Sequence, residues 1–322
     1  MRSLTILLCI LLLGAVANGP SDAQTYPTKP IRMVVAFSAG TASDIVARVI
    51  STELAGRLGQ PVVVENRPGA GGNIGCEAVK NSAADGYTLL AGSNGPLSAN
   101  VSLYAKLPFD PIKDFSPIVK AFTGSMFLLA NQSVSAMSVT DVIQMAKARP
   151  GTLSFGASST TGRVWVELFK TMAGIDVVCV PYKEVGNMFA NLMGGKVAFA
   201  FENMGPSTPY IQASKIRAIA VTNTKRSSTA PDVPTLTEFG LGRYNIRNWG
   251  GYFAPMGTPK EIIVRINTEV NKIIRESPKV KQLLVSLELD PEENTPEQFA
   301  EFHKADIANW AEIVKLTGVR LD

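Results

Sequence analysis

Short apolar blocks rich in β-branched residues alternate along this chain with longer stretches whose apolar residues recur every three or four positions. Ile31–Phe37 is a block of the first kind and predicts a buried strand. Asp44–Leu58 is of the second kind: Ile45, Val46, Val49, Ile50, Leu54 and Leu58 form a helical stripe, and Gly59 ends it. The same reading predicts strands at Pro61–Val64, Tyr87–Ala91, Phe127–Ala130, Leu153–Gly156, Val177–Val180, Val197–Phe201 and Ala218–Thr222. It predicts helices at Gly75–Ser82, Val139–Ala148, Val164–Ala173, Asn187–Met193, Pro259–Glu276 and Pro296–Thr317. Strands alternating with helices predict an α/β fold whose parallel sheets are covered by helices on both faces.

One apolar run stands outside this pattern. Leu4–Val16 follows the single charge of Arg2 and is too short to cross a bilayer core of about 30 Å comfortably. Small residues follow, and both Ala15-Val16-Ala17 and Ser21-Asp22-Ala23 fit a cleavage site. Residues 1–23 therefore read as a secretory signal peptide, cut after Ala23, and take no part in the fold. The mature chain is expected to be soluble, exported and monomeric.

Composition narrows the function classes. With 46% hydrophobic and 18% charged residues, the chain is too apolar for a disordered protein, and 322 residues suffice for two domains. A net charge of +4, dispersed along the chain, is not the basic face that a nucleic-acid partner requires. Outside the leader only Cys76 and Cys179 remain; they fall in helix-like and strand-like stretches, and two free thiols are the favoured reading. Two cysteines and one histidine cannot build a four-ligand structural zinc site, and no metal or cofactor is expected.

The candidate chemistry lies where small polar residues follow strands and precede helices. Ser38-Ala39-Gly40-Thr41-Ala42-Ser43 follows Phe37, Ala91-Gly92-Ser93-Asn94-Gly95 follows Leu90, and Gly156-Ala157-Ser158-Ser159-Thr160-Thr161-Gly162 follows Phe155. In open α/β sheets the ligand crevice lies beyond the carboxyl ends of the strands. Loops of this composition present backbone N–H groups at helix N-termini, where the helix dipole favours an anion. Ordinary helix capping is the better account of one such loop alone; several together bring binding level with capping. An enzyme is the weaker reading. The single histidine, His303, falls on the packed stripe of its helix, and no nucleophile elbow or acidic pair backed by a base is present. Gly69-Ala70-Gly71-Gly72-Asn73-Ile74-Gly75 fails as a dinucleotide fingerprint, because its third glycine would fall on Ile74.

Several stretches carry a family resemblance. They are Tyr26-Pro27-Thr28-Lys29-Pro30-Ile31-Arg32, then Asp44-Ile45-Val46-Ala47-Arg48, and the long run from Gly59-Gln60-Pro61-Val62-Val63-Val64-Glu65-Asn66-Arg67-Pro68-Gly69 through Gly75. Asp85-Gly86-Tyr87-Thr88-Leu89-Leu90, Val180-Pro181-Tyr182-Lys183, Pro231-Asp232-Val233-Pro234-Thr235 and Ala254-Pro255-Met256-Gly257-Thr258-Pro259 follow in order. With them the chain resembles the tripartite tricarboxylate transporter solute receptors, also called Bordetella uptake gene (Bug) receptors. The resemblance implies a periplasmic, two-lobe Venus-flytrap protein that binds a small carboxylate (a mono- or dicarboxylate, an aromatic acid or an amino acid) and presents it to the membrane subunits of a tripartite transporter. It implies a first lobe of residues 24–125 plus 250–322 and a second of 126–249. It implies a ligand carboxylate held by one strand-to-helix loop per lobe, here Ser38–Ser43 and Ala157–Gly162, with Phe37 packed on the ligand.

The pocket departs from the family pattern. A Pro-Pro-Gly-Gly type loop is replaced by Ser38-Ala39-Gly40-Thr41, and the Gly-x-Gly of the second loop by Ser159-Thr160-Thr161-Gly162. Glu184 stands for a usual glycine, Glu202 beside Asn203 for a usual aspartate, and Arg163 opens a helix start that is usually rich in histidine. Ligand-binding candidates are thus Phe37, Ser38, Ala39, Gly40, Thr41, Ser43, Asn73, Ser93, Ala157, Ser158, Ser159, Thr160, Thr161, Arg163, Glu202 and Asn203. Glu202 reads as a partner for a ligand amine or as a helix cap; Arg163 as a clamp for a second carboxylate or as a solvated helix residue. Asn73 and Ser93 read equally as lining or as caps, and Trp249 as cleft floor or as hinge packing. Two other uses stay open: a ligand sensor for a signalling partner, and an exported hydrolase.

Overall fold

The computed structural model describes residues 26–227, 230–242 and 246–321. The expected leader and its cleavage site lie outside the described residues. Along the chain, β1 (Ile31–Val35), α1 (Ala42–Leu58), β2 (Val62–Asn66), α2 (Asn73–Lys80), β3 (Thr88–Ser93) and the short α3 (Asn100–Leu103) lead to β4 (Phe115–Gly124). Then come β5 (Met126–Asn131), α4 (Val139–Ala148), β6 (Ser154–Ala157), α5 (Thr160–Ala173), β7 (Val178–Pro181), α6 (Val185–Met193), β8 (Phe199–Asn203), α7 (Met204–Gln212) and β9 (Ile216–Val221). The chain ends with β10 (Asn248–Pro255), α8 (Lys260–Glu276), α9 (Pro278–Ser286), β11 (Leu289–Pro291) and α10 (Pro296–Thr317).

These strands form two sheets, ordered β11-β4-β10-β3-β1-β2 and β7-β6-β8-β5-β9. The α/β class holds, but the sheets are mixed rather than parallel. β10 runs antiparallel to both β3 and β4, and β5 antiparallel to both β8 and β9. The reason lies in where the chain enters each sheet: β5 follows β4 through Ser125 and starts beside Asn203, the end of β8, and β10 starts beside Ser93, the end of β3, so each runs back against those strands.

The inner strands of each sheet bury side chains on both faces, since successive side chains point to opposite sides and meet a core on each. Met33 and Val35 join the core under α1 and α8, while Val34 joins Trp249, Phe253 and Phe299 on the other face. In the second sheet Leu128 packs with Phe155, Phe201 and Trp165, while Phe127 and Leu129 pack with Met188 and Phe189. Helix α10 serves both cores. Phe299 belongs to the first-sheet cluster, whereas Trp310, Ile313 and Val314 belong to the second-sheet cluster with Phe155.

Strand β10 carries Gly250 and Gly251 where no strand was expected. A Cβ on Gly250 would stand 2.2 Å from the Phe122 ring, and one on Gly251 2.6 Å from Phe299. Glycine there admits two aromatic rings against the backbone. His303 is fully buried, its Nε2 2.7 Å from the Leu97 carbonyl oxygen, as its place on the packed stripe implied. Cys76 and Cys179 are unpaired.

Candidate ligand-binding cleft

The loops that follow β1, β2, β3, β6, β7 and β8 converge, with the start of β10, on a cleft of about 350 Å³. This is the carboxyl end of the strands, as expected for an α/β architecture.

Two helices open onto the cleft, and side chains cap both. Thr41 is the N-cap of α1: its Oγ1 accepts from Asp44 N–H at 3.3 Å and donates to the Ser38 carbonyl at 3.0 Å. Gly40 (φ +83°) makes the turn and donates its N–H to Asp44 Oδ2 at 3.0 Å. Asp44 is held further by Arg48 Nε at 3.0 Å and Asn66 Nδ2 at 2.8 Å, which pins the loop to the end of β2. Burial would raise the Asp44 pKa, but Arg48, the Gly40 N–H and Asn66 together outweigh it and hold the carboxyl below its ordinary range. Ser159 caps α5, its Oγ accepting from Gly162 N–H at 3.1 Å. A Cβ on Gly162 would meet the Phe201 carbonyl at 3.0 Å, so glycine lets α5 start close against β8.

Capping leaves the same groups over at each helix. The N–H groups of Ala42 and Ser43, and those of Thr160 and Thr161, have no hydrogen-bond partner among the described residues, and all four residues line the cleft. Thr160 Oγ1 is buried and also without a partner. Unpaired donors at the positive ends of two helix dipoles favour an anion between them.

A chain of side-chain amides crosses the cleft floor. Asn94 Nδ2 donates to Asn248 Oδ1 at 3.5 Å, Asn248 Nδ2 to Asn203 Oδ1 at 2.8 Å, and Asn203 Nδ2 to Glu202 Oε1 at 3.2 Å. Glu202 Oε1 also accepts from Asn203 N–H at 2.9 Å, and Oε2 bonds to Ser158 Oγ. Glu202 caps no helix with its side chain; it is buried in the cleft wall. Arg163 is half-buried in the first turn of α5 and lines the cleft. It makes no ion pair among the described residues, and Glu167, one turn on, is taken by Lys170 at 2.9 Å.

Of the residues expected at the site, Phe37, Ser38, Thr41, Ser43, Ser93, Ser158, Ser159, Thr160, Thr161, Arg163, Glu202 and Asn203 line the cleft. Four do not. Ala39 and Gly40 sit exposed at the tip of the first loop, and Ala157 is turned fully into the core. Asn73 is buried behind the lining, where its Oδ1 accepts from Asn100 Nδ2 at 2.6 Å. Trp249 lines the cleft, packs on Phe299 and Phe302 of α10, and donates Nε1–H to Asp306 at 2.8 Å.

The sequence reading left out Gly69–Gly72, Asn94, Tyr104, Tyr182 and Asn248, which also line the cleft. For the glycines a signal existed. Gly71 (φ +65°) and Gly72 (φ +98°) need left-handed backbone, and a Cβ on Gly72 would press on Pro96 at 2.9 Å. Asn94 stands in one of the candidate loops, but nothing local marks Asn248, which meets it only across the fold.

The family model described as the tripartite tricarboxylate transporter family receptor matches residues 46–319. The chain is 36% identical to protein BugT of Bordetella pertussis over 324 aligned positions, which cover all of this chain and 99% of the relative. Among solved structures, Rpa4515 of R. palustris with adipate is 34% identical with a TM-score of 0.88, covering 92% of this chain and 99% of that one. MatC of Rhodopseudomonas palustris with bound malate is 29% identical with a TM-score of 0.85, covering 90% of this chain and all of that one. The two sheets with their flanking helices are accordingly a two-lobe periplasmic-binding-protein fold, and the chain belongs to the tripartite tricarboxylate transporter receptor family.

Proposed function

We propose that this chain is a periplasmic solute-binding receptor that captures a small organic acid between its lobes and delivers it to the membrane subunits of a tripartite transporter. It is a carrier and not an enzyme, so the acid leaves it unchanged. The observation that carries the reading is the pair of unpartnered N–H groups at each of two capped helices, Ala42 with Ser43 and Thr160 with Thr161, all on one cleft. Four dipolar donors and the Thr160 hydroxyl supply a carboxylate with hydrogen bonds without a buried cation. Adipate and malate in two relatives support this ligand class. The mature receptor begins near Gln24, is monomeric, and has lobes of residues 24–125 with 250–322, and 126–249.

Native mass spectrometry of protein purified without refolding identifies the retained acid. Calorimetry then compares adipate, malate and that acid with their methyl esters. The acids bind and the esters bind at least tenfold more weakly, since each charge-assisted hydrogen bond lost costs about 1.5–3 kcal/mol. Esters binding as tightly as acids sink the reading.

A further inference from the structure

The wall of the cleft that faces an anion contains a carboxyl group of its own. Glu202 is 3% exposed, at the end of β8, and has no ion pair among the described residues. The cations that line the same cleft are Arg163 on α5 and Lys183 after β7, and Tyr182 beside Lys183 and Tyr104 after α3 are the other titratable groups among its lining residues. From the side of the first sheet it is approached through amides, Asn248 of β10 and Asn94 after β3, and its register partner on β5 is Phe127. Burial pushes the Glu202 carboxyl up in pKa, against the pull of the Ser158 hydroxyl and the two Asn203 donors. A ligand carboxylate in this cleft adds a like charge, which disfavours the ionised form further.

The two oxygens of Glu202 are not equivalent. Oε1 accepts two N–H groups, which cannot accept in return. Oε2 faces only the Ser158 hydroxyl, which can accept a proton as readily as donate one. The site therefore has one place for a proton, on Oε2.

We infer that Glu202 is protonated on Oε2 and donates to Ser158 in the loaded receptor, so that capture of an acid takes up one proton from solvent. This rests on the receptor reading above. Between the midpoints at which Glu202 titrates in the free and in the loaded protein, affinity falls by up to tenfold per pH unit as the pH rises. An ionised Glu202 paired with a ligand amine is the competing arrangement, and it takes up no proton.

Calorimetric titration with adipate and with malate, each in two buffers of different ionisation enthalpy above about pH 6, where ordinary carboxyls are already ionised, counts the protons. The wild type takes up as much as one proton per ligand, and Glu202→Gln takes up none and has a flat pH profile. In the free wild type, the side-chain carboxyl carbon signal that is missing from Glu202→Gln titrates above the ordinary glutamate value of about 4.3 and moves higher with adipate. Normal binding with no proton uptake, equal uptake in Glu202→Gln, or a carbon midpoint at the ordinary value overturns the coupling alone. Absence of heat with both acids in every buffer falls on the receptor reading and takes the coupling with it.

Discussion

Gly71 of the first lobe lies so close to Thr160 of the second that a Cβ on the glycine would stand 2.6 Å from the threonine Oγ1. The loop after β2 and the start of α5 thus touch across the cleft at a position where only a hydrogen atom fits. Gly71 is also left-handed, at φ +65°. Gly71→Ala therefore combines backbone strain of about 1–2 kcal/mol with a clash between lobes. The variant unfolds at lower temperature and binds acids more weakly. Thr160→Ala removes the clashing oxygen, so the double variant recovers part of the loss, with a coupling energy of about 0.5–3 kcal/mol in a double-mutant cycle. Simple additivity of the two changes would mean that the lobes do not meet here.

Thr160 is the first helical residue of α5, after Ser159 in extended conformation (φ −136°, ψ 161°). Proline suits that position and that preceding conformation, so Thr160→Pro keeps the helix while deleting one free N–H. Its melting temperature stays near that of the wild type, and its affinity for acids falls about tenfold or more. Thr161→Ala keeps every backbone donor and has a mild effect. Calorimetry beside thermal melts decides; a Thr160→Pro protein that binds normally removes the α5 donors from the account.

Asp44 makes the first loop pH-sensitive. Its folded pKa lies below the unfolded value, so it contributes stability that is complete above the unfolded pKa, about 3.9, and is lost as pH falls through the folded one. Asp44→Asn lacks this contribution. Denaturant midpoints of wild type and variant differ most near neutral pH and converge in acid below about pH 4. A gap that is constant with pH would assign the cost to the lost geometry and not to the charge.

Binding draws the lobes together about residues 124–127 and 246–250, where the chain passes between the two sheets. The radius of gyration from small-angle scattering is smaller with saturating acid than without it. Trp249, on the cleft and bonded to Asp306, reports the same event by its fluorescence. An unchanged radius and an unchanged emission at saturation would rule out closure.

Helix α10 ties the cores, so Trp310→Ala damages the second lobe although it lies far along the chain from β5–β9. Trp310 is fully buried among second-sheet residues, and its truncation costs about 3–5 kcal/mol. Urea denaturation measures it; a loss under about 1 kcal/mol would contradict the shared core.

What the sequence determined by itself were the elements whose local chemistry is complete. Val139–Ala148 and Pro296–Thr317 are legible to the residue, because a capping box starts each (Ser138 with Asp141, Thr295 with Gln298) and Pro150 or Gly318 follows the end. The loops at Ser38–Ser43 and Ser158–Thr161 were legible as a site, since Gly, Ser and Thr between a strand and a helix expose N–H groups wherever the fold places them. Tertiary structure alone decided the rest. β4 and β10 hide behind Pro117, Lys120, Gly250 and Gly251, whose placement is explained only by the Phe122 and Phe299 rings that close on the glycines. Which loop residues face the cleft was equally invisible: a loop has no period to say that Ser38 points in while Ala39 points out. The chain Asn94–Asn248–Asn203–Glu202 joins residues up to 154 positions apart, and no local pattern encodes such a meeting. It exists because two sheets, joined through Ser125 and the start of β10, bring their strand ends to one cleft.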